Sequence, residues 1–444
     1  MIARAQLRRW LAAVASLAML VAAPSRAQQS YHLTDLGSLG GVRGSGAYAH
    51  RGGVSVGYSF VAGSSFVHAM LNDRGTVVDL GTLGGTQSLA RAVNSHGQVV
   101  GWAYLPGLAW QRAFLWQGGV MTDLGTFGGN VSDALDLNDA GIVVGSSFDL
   151  LGRERAFWWE GGALHDLGTI GGSQSRASGI NQWGDITGMA QIEGDDEFHA
   201  FLSKPGSPLY DLGTLGGPAS HAHDINDLVQ VCGWSMIEPN NPASRGFVWA
   251  DGIMKSVGTL GGIYSAAFGL NNLGQVVGAS TRADGTQAAF LWQGDQIVDL
   301  NTLLPPGSGW FLSSASDIDA NGAIVGEGLN PQGKSRAYLL TPAATTDVPH
   351  AQARLAFAGA WPNPVRAGTR FRFELPAAGQ ASLELFDLSG RRVRALATGA
   401  FGAGPQSVAW DGRDESGEWA GAGAYFAQLR TPAGTLTRRF VVVR

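Results

Sequence analysis

The chain has 444 residues, of which 45% are hydrophobic and only 15% charged, and glycine is over-represented at 66. That much glycine without a Gly-X-Y period means many turns and excludes collagen. With 35 acidic and 30 basic residues there is no basic stripe for a phosphate backbone, which excludes nucleic acid as a partner.

Taken from the start, Arg4, Arg8 and Arg9 precede an apolar core from Trp10 to Ala23 and a small-x-small site at Ser25-Arg26-Ala27. This is the pattern of an export signal over residues 1–27, with a mature chain beginning near Gln28. No later run approaches the ~18 apolar residues of a membrane span. Cys232 is the only cysteine, so burial and not disulfides must hold the fold, and its Val-rich setting reads as core.

From residue 35 a heptad recurs, Asp-Leu-Gly-Thr-Leu-Gly-Gly. It starts at Asp35, Asp79, Asp123, Asp166, Asp211, Ser256 and, in degenerate form, Asp299, so the period is 43 to 45 residues. A fixed period of this size marks an array in which no unit buries its apolar face alone. One unit shows four short runs rich in Val, Phe, Trp and Leu: Ala90 to Val93, Gln98 to Ala103, Arg112 to Trp116 and Val120 to Leu124. Turn residues separate them and none has a helical period. Four antiparallel strands per unit is the size of a β-propeller blade.

Within each unit the recurrent residues read first as structure. Asn94 with Gly97 and Asn138 with Gly141 make a tight Asn-x-x-Gly turn, since Asn bonds its own backbone and Gly supplies positive φ; a ring of amide ligands is the alternative. The fifth unit, Asn226-Asp227-Leu228-Val229, lacks the glycine. In the heptads, Asp79, Gly81, Gly84 and Gly85, with Asp123, Gly125, Asp211 and Gly213, read as a strand end followed by a turn; the phosphate-cradle alternative has no following helix or lysine. Trp116, Trp249 and Trp292 recur at one position, which favours packing between blades over a sugar-stacking row.

Six units end near residues 85, 129, 172, 217, 262 and 305, and residues 315–342 hold a seventh that lacks its fourth strand. The Tyr31 to Gly41 segment is a heptad strand with no unit before it. Joining the two predicts an all-β, seven-bladed propeller over residues 28–342, closed by the N-terminal strand and without free edges. This region resembles the HAF family of extracellular repeat proteins, named for a His-Ala-Phe triplet a dozen residues before the heptad. His199-Ala200-Phe201 is the literal match; Arg112-Ala113-Phe114, Arg155-Ala156-Phe157, His68-Ala69-Met70 and Arg336-Ala337-Tyr338 are variants. The resemblance implies an exported bacterial repeat protein and no particular activity.

A polar linker over 343–353 precedes alternating runs from 354 to 444, which predict a small immunoglobulin-like sandwich. Pro362-Asn363-Pro364, Phe386-Asp387-Leu388-Ser389-Gly390-Arg391, Trp410-Asp411-Gly412-Arg413-Asp414 and Gly423-Ala424-Tyr425 resemble the immunoglobulin-like domain of the flagellar hook-capping protein and type IX secretion sorting domains. That resemblance implies a sorting or attachment module, and so secretion or cell-envelope machinery as a partner. Turn formation accounts for Asp411, Asp414 and Glu415, with an acidic metal site as the alternative.

No nucleophile elbow, zinc-protease helix or Walker sequence is present, and no cofactor is expected. Residues that break the repeat are the sites to watch: His221 and His223 with Asp224, two histidines on one strand face that could ligate a metal, the Glu193 to Glu197 loop, and the Ile237 to Ser244 insertion. The expected function is an extracellular or cell-surface scaffold binding a protein or glycan; a polysaccharide hydrolase or lyase and a purely structural envelope protein are the alternatives.

Overall fold

The computed structural model describes residues 30–107, 110–194, 197–241, 243–343 and 355–443. The expected export signal lies outside the described residues, as do all but the first residue of the expected linker and parts of the two unequal loops. Among the described residues the one helical element is a 3-10 turn at Leu300–Leu303; everything else regular is β-strand. That turn replaces the degenerate last heptad. Without the glycine pair the chain coils, and the Asp299 carboxylate caps it by accepting from the Asn301 N–H.

Seven antiparallel four-stranded sheets follow one another. Six are continuous in sequence, at residues 40–79, 88–123, 128–166, 171–211, 220–258 and 261–299. The seventh joins the two ends of this region: Tyr31–Asp35 pairs with Ser335–Pro342, beyond which lie Ile324–Leu329 and Phe311–Ile318. Tyr31 faces Pro342 and Asp35 faces Tyr338, and the Leu36 N–H reaches the Ala337 carbonyl at 3.0 Å.

Each sheet packs on the next through its own apolar cluster. Phe114 and Leu80 sit between the first and second sheets, Phe157 and Leu124 between the second and third, and the series continues to the sixth and seventh. A last cluster of Leu36, Ala47, Met70, Val325 and Ala337 joins the seventh sheet to the first. Cys232 is buried in the cluster of the fifth and sixth sheets.

The triplet and heptad together form the joint. The triplet alanine takes the heptad leucine N–H on its carbonyl, as in Leu80 to Ala69 at 2.9 Å, and gives its own N–H to a serine of the next sheet, as in Ala69 to Ser88 at 2.8 Å. In three units the first triplet residue, His or Arg, meets the heptad aspartate: His68 with Asp79 at 2.8 Å, Arg155 with Asp166 and His199 with Asp211 at 2.9 Å. His and Arg serve alike there; in the sixth unit, where Ala288 stands at this position, Arg282 donates to Asp299 instead at 2.7 Å. Gly85 lets the heptad approach the next sheet; a Cβ there would lie 2.3 Å from the Tyr104 carbonyl oxygen.

The Asn-x-x-Gly turns do more than turn. Asn181 Oδ1 accepts the N–H groups of Trp183 and Asp185, while its Nδ2 donates to the Asn226 carbonyl of the next sheet at 3.0 Å. The same link runs from Asn94 to Asn138, Asn138 to Asn181, Asn226 to Asn271 and Asn271 to Asp319, at 2.9 to 3.2 Å. Asn181→Ala would strand buried groups on two sheets, and is expected to cost about 2–3 kcal/mol and lower the melting temperature by about 5–10 °C, read by circular dichroism. In the fifth sheet Val229 takes the glycine's place with φ of 60°, a strain that burial of its side chain offsets.

Residues 355–443 form a three-stranded and a four-stranded sheet around Phe371, Phe373, Leu383, Leu385, Trp410 and Phe440. This domain docks on the fourth and fifth sheets at their Asn-turn end. Arg372 and Asp185, both fully buried, form an ion pair, and Lys204 reaches the same carboxylate at 3.1 Å. Trp361 packs edge-on against Tyr210 and Trp249 at 5.9 and 6.3 Å.

Candidate functional site

The first strands of all seven sheets line one cavity of about 270 Å³. Each of these strands carries a bulge at the same place, directly after an alanine: Ala47, Ala90, Ala134, Ala177, Ala222, Ala267 and Ala315. A bulge inserts one unpaired residue and re-aims its side chain. Here the inserted residues are Tyr48, Arg91, Leu135, Ser178, His223, Phe268 and Ser316, and all seven line the cavity. The displaced backbone needs room opposite, which glycine in the second strand provides. A Cβ on Gly145 would fall 2.0 Å from the Asp133 carbonyl oxygen, and Gly57, Gly101, Gly188, Gly233, Gly278 and Gly326 face the same constraint.

The next position alternates. Asp136, Asp224 and Asp317 each accept two main-chain N–H bonds, one from the following residue and one from the next sheet: Ile180 at 2.8 Å, Leu270 at 2.9 Å and His50 at 2.9 Å. Gly179 and Gly269 stand between them, where a Cβ would press on the backbone of Asp224 and Asp317. Arg51 adds an ion pair to Asp317 at 2.8 Å. Burial and the neighbouring Asp224 push Asp136 up to about 7, and burial and Asp317 push Asp224 up to about 6.

Side chains around the bulges form a network of charged, aromatic and imidazole groups. Arg91 and Arg176 share Asp133 at 3.4 and 3.3 Å, and Arg176 also holds Glu154 at 3.1 Å. Arg91 lies over the Tyr48 ring at 5.3 Å, and Tyr58 donates to Glu327 at 3.0 Å. His221 and His223 do share a face, with ring centres 4.5 Å apart; His221 bonds Ser178 Oγ at 3.1 Å, and His223 packs edge-on to Phe268. Asp224 does not join them, because the main chain already occupies both of its oxygens. Among the described residues no three His, Cys, Asp or Glu side chains gather as a metal site.

Burial, then Arg176, pushes His223 down to about 4, and His221 is lowered for the same reasons together with the His223 charge. An unfolded chain would protonate His223 as pH falls from 6.5 to 4 while the folded chain would not, so this histidine's contribution to stability is lost on acidification. Asp136 and Asp224 have raised values and act in the opposite sense: their contribution is lost as pH rises through 6 to 7. His223→Gln removes only the first effect. Relative to wild type the variant is expected to gain about 1–2 kcal/mol, or a few degrees of melting temperature, between pH 7 and 4.5.

The remaining sequence candidates lie elsewhere. Asp79, Gly81, Gly84, Gly85, Asp123, Gly125, Asp211 and Gly213 are in the joints between sheets, and Asp79 Oδ1 accepts the Gly81 N–H at 2.8 Å. Trp116 and Trp292 pack on clusters between neighbouring sheets, while Trp249 meets Trp361 of the C-terminal domain. In that domain Asp411 pairs with Arg394, Glu415 with Arg392, and Asp414 caps its own turn. Of the bulge residues only His223 was singled out from the sequence, and as a metal ligand; the signal for the others was an alanine followed by a one-residue slip in the alternation, opposite a strand with glycine at its third position.

No curated protein matches the sequence. Among solved structures the chain is similar to PorZ, a bacterial surface component of the type-IX secretion system of Porphyromonas gingivalis, at 11% identity and a TM-score of 0.37, over 89% of this chain and 59% of that one. It is also similar to TolB from Acinetobacter baumannii at 10% identity and a TM-score of 0.39, over 69% and 65% of the two chains. The gluconolactonase XC5397 from Xanthomonas campestris follows at 13% identity and a TM-score of 0.32, over 62% and 90%. Thus the chain spans less than two thirds of the first two. Residues 363–432 match the family model of the FlgD Ig-like domain, which makes the C-terminal sandwich an immunoglobulin-like domain of that kind.

Proposed function

We propose that the protein is an exported, cell-surface binding scaffold: a seven-bladed propeller of HAF-type repeats over residues 28–342, with a ligand site in its central channel, followed by an immunoglobulin-like module for sorting or attachment. One observation carries the binding role. Packing positions repeat from sheet to sheet, whereas the seven bulge positions that line the cavity are nearly all different, and binding sites are where repeats lose their symmetry. The match over residues 363–432 supports the attachment module. Six aspartates line the cavity, Asp136, Asp139, Asp224, Asp227, Asp317 and Asp319, and each accepts at least one main-chain N–H, which gives all six a part in the fold.

Two measurements test this. The full chain is expected to be retained by isolated cell envelopes, and Tyr48→Ala to reduce that retention, with melting curves separating lost binding from lost fold. Cells expressing a chain truncated after residue 353 are expected to lose it from the surface fraction. Unchanged retention and unchanged surface display would refute the binding and attachment roles respectively.

A further inference from the structure

The strand Thr369–Leu375 of the C-terminal domain has two faces. Phe371, Phe373 and Leu375 belong to the domain's own core, so Arg372 and Glu374 share the opposite face, and the pairing of Arg372 with Asp185 turns that face toward the other domain. Glu374 is 7% exposed, and its Oε2 is closed to solvent and has no hydrogen-bond partner among the described residues. A buried carboxylate oxygen without a donor is costly while it is charged. Water does not reach it, so a proton on the carboxyl itself is what lowers that cost.

The groups around Glu374 act the same way. Directly opposite it in its own sheet stand Ala356 and Pro405, which carry no charge. On its own strand Arg372 is taken by Asp185, which Lys204 also reaches at 3.1 Å, and Arg370 is exposed. From the fifth sheet the charge that acts on Glu374 is that of Asp227, in the turn after Asn226. Asp227 is held in place by the Gln182 N–H and the Asn272 side-chain amide, at 3.0 and 3.1 Å. Burial first, and then the Asp227 charge, push Glu374 up to about 7. In a C-terminal domain lifted off the sheets both causes are gone, and the carboxyl returns to the ordinary glutamate range. The docked form therefore holds one proton more over the interval between, so docking is favoured on its acidic side and weakens as pH rises through it to about 7.

We infer that Glu374 is a proton-operated latch, protonated while the C-terminal domain sits on the fifth sheet and, once ionised, repelled by Asp227 so that the domain comes away. Docking is measured in the full chain by energy transfer between dyes on Val120→Cys and Leu388→Cys, two exposed positions on different domains, through urea titrations from pH 5 to pH 8. The ratio of the separation constants, wild type over Glu374→Gln, is expected to rise about tenfold per pH unit from 5 to 7 and then to level off. Taking the ratio cancels groups that titrate in both chains, such as Asp251, which burial raises against the pull of Arg438. Asp227→Asn leaves burial, the larger cause, and is expected to end the rise at a lower pH. Circular dichroism in the same titrations is expected to show the sheets still folded where transfer is lost. A ratio that stays flat or falls from pH 5 to pH 8 would overturn the latch. Loss of both signals together at pH 8 would overturn it too, because the proton would then serve stability alone.

Discussion

A chain lacking residues 28–41 is expected to be insoluble, or to melt at least 15 °C below wild type. The deletion removes the strand that pairs with Ser335–Pro342 over five residue pairs, and it takes Tyr31 and Leu36, 2% and 3% exposed, out of two clusters. Burial of those two side chains is worth about 1.5–3 kcal/mol each. With the lost ladder bonds the total passes about 5 kcal/mol, the lower end of what a whole domain has in reserve. The deletion also bares the edge of Ser335–Pro342, which invites pairing between molecules. Soluble expression with unchanged melting would refute closure of the seventh sheet by the N-terminal strand.

Asp185→Ala is the second large effect. Asp185 takes Arg372 from the C-terminal domain, Lys204 from its own sheet and the Asn181 side-chain amide. Removing it leaves the buried Arg372 without its carboxylate and facing the part-exposed Lys204, and breaking a buried pair in this way costs about 3–5 kcal/mol. Arg372→Ala leaves Asp185 with Lys204 and is expected to cost less. In scanning calorimetry the wild-type chain is expected to unfold with its C-terminal domain coupled to the sheets, and Asp185→Ala to split off a separate, earlier transition for residues 355–443. A single transition within a degree of wild type would refute the coupling.

Much of the local structure was legible from the sequence, because turn chemistry and strand alternation are local. The Asn94–Gly97 turn, the strand at Val99–Tyr104 and the pairing partner for Tyr31–Asp35 all follow from period and pattern. The second role of Asn181 was not legible, since its Nδ2 acts on a carbonyl 45 residues away. Nor was the use of His or Arg before alanine in the triplet, whose partner aspartate lies 11 or 12 residues on. Nothing in the sequence marks Arg372 or Trp361, whose partners Asp185, Tyr210 and Trp249 belong to the other domain. Val229 was seen as a departure from the turn pattern, but not that it would adopt the glycine conformation.

The bulge also separates two demands on the same strand. Alanine before it, a small or acidic residue after it and glycine opposite satisfy folding, while the inserted residue makes no ladder pair and carries no obligation to the sheet. Seven such positions therefore form an alphabet that can change letter by letter while the scaffold stays the same. A related chain that keeps the alanines and glycines but differs at the positions of Tyr48, Arg91 and His223 would fold alike around a differently lined cavity.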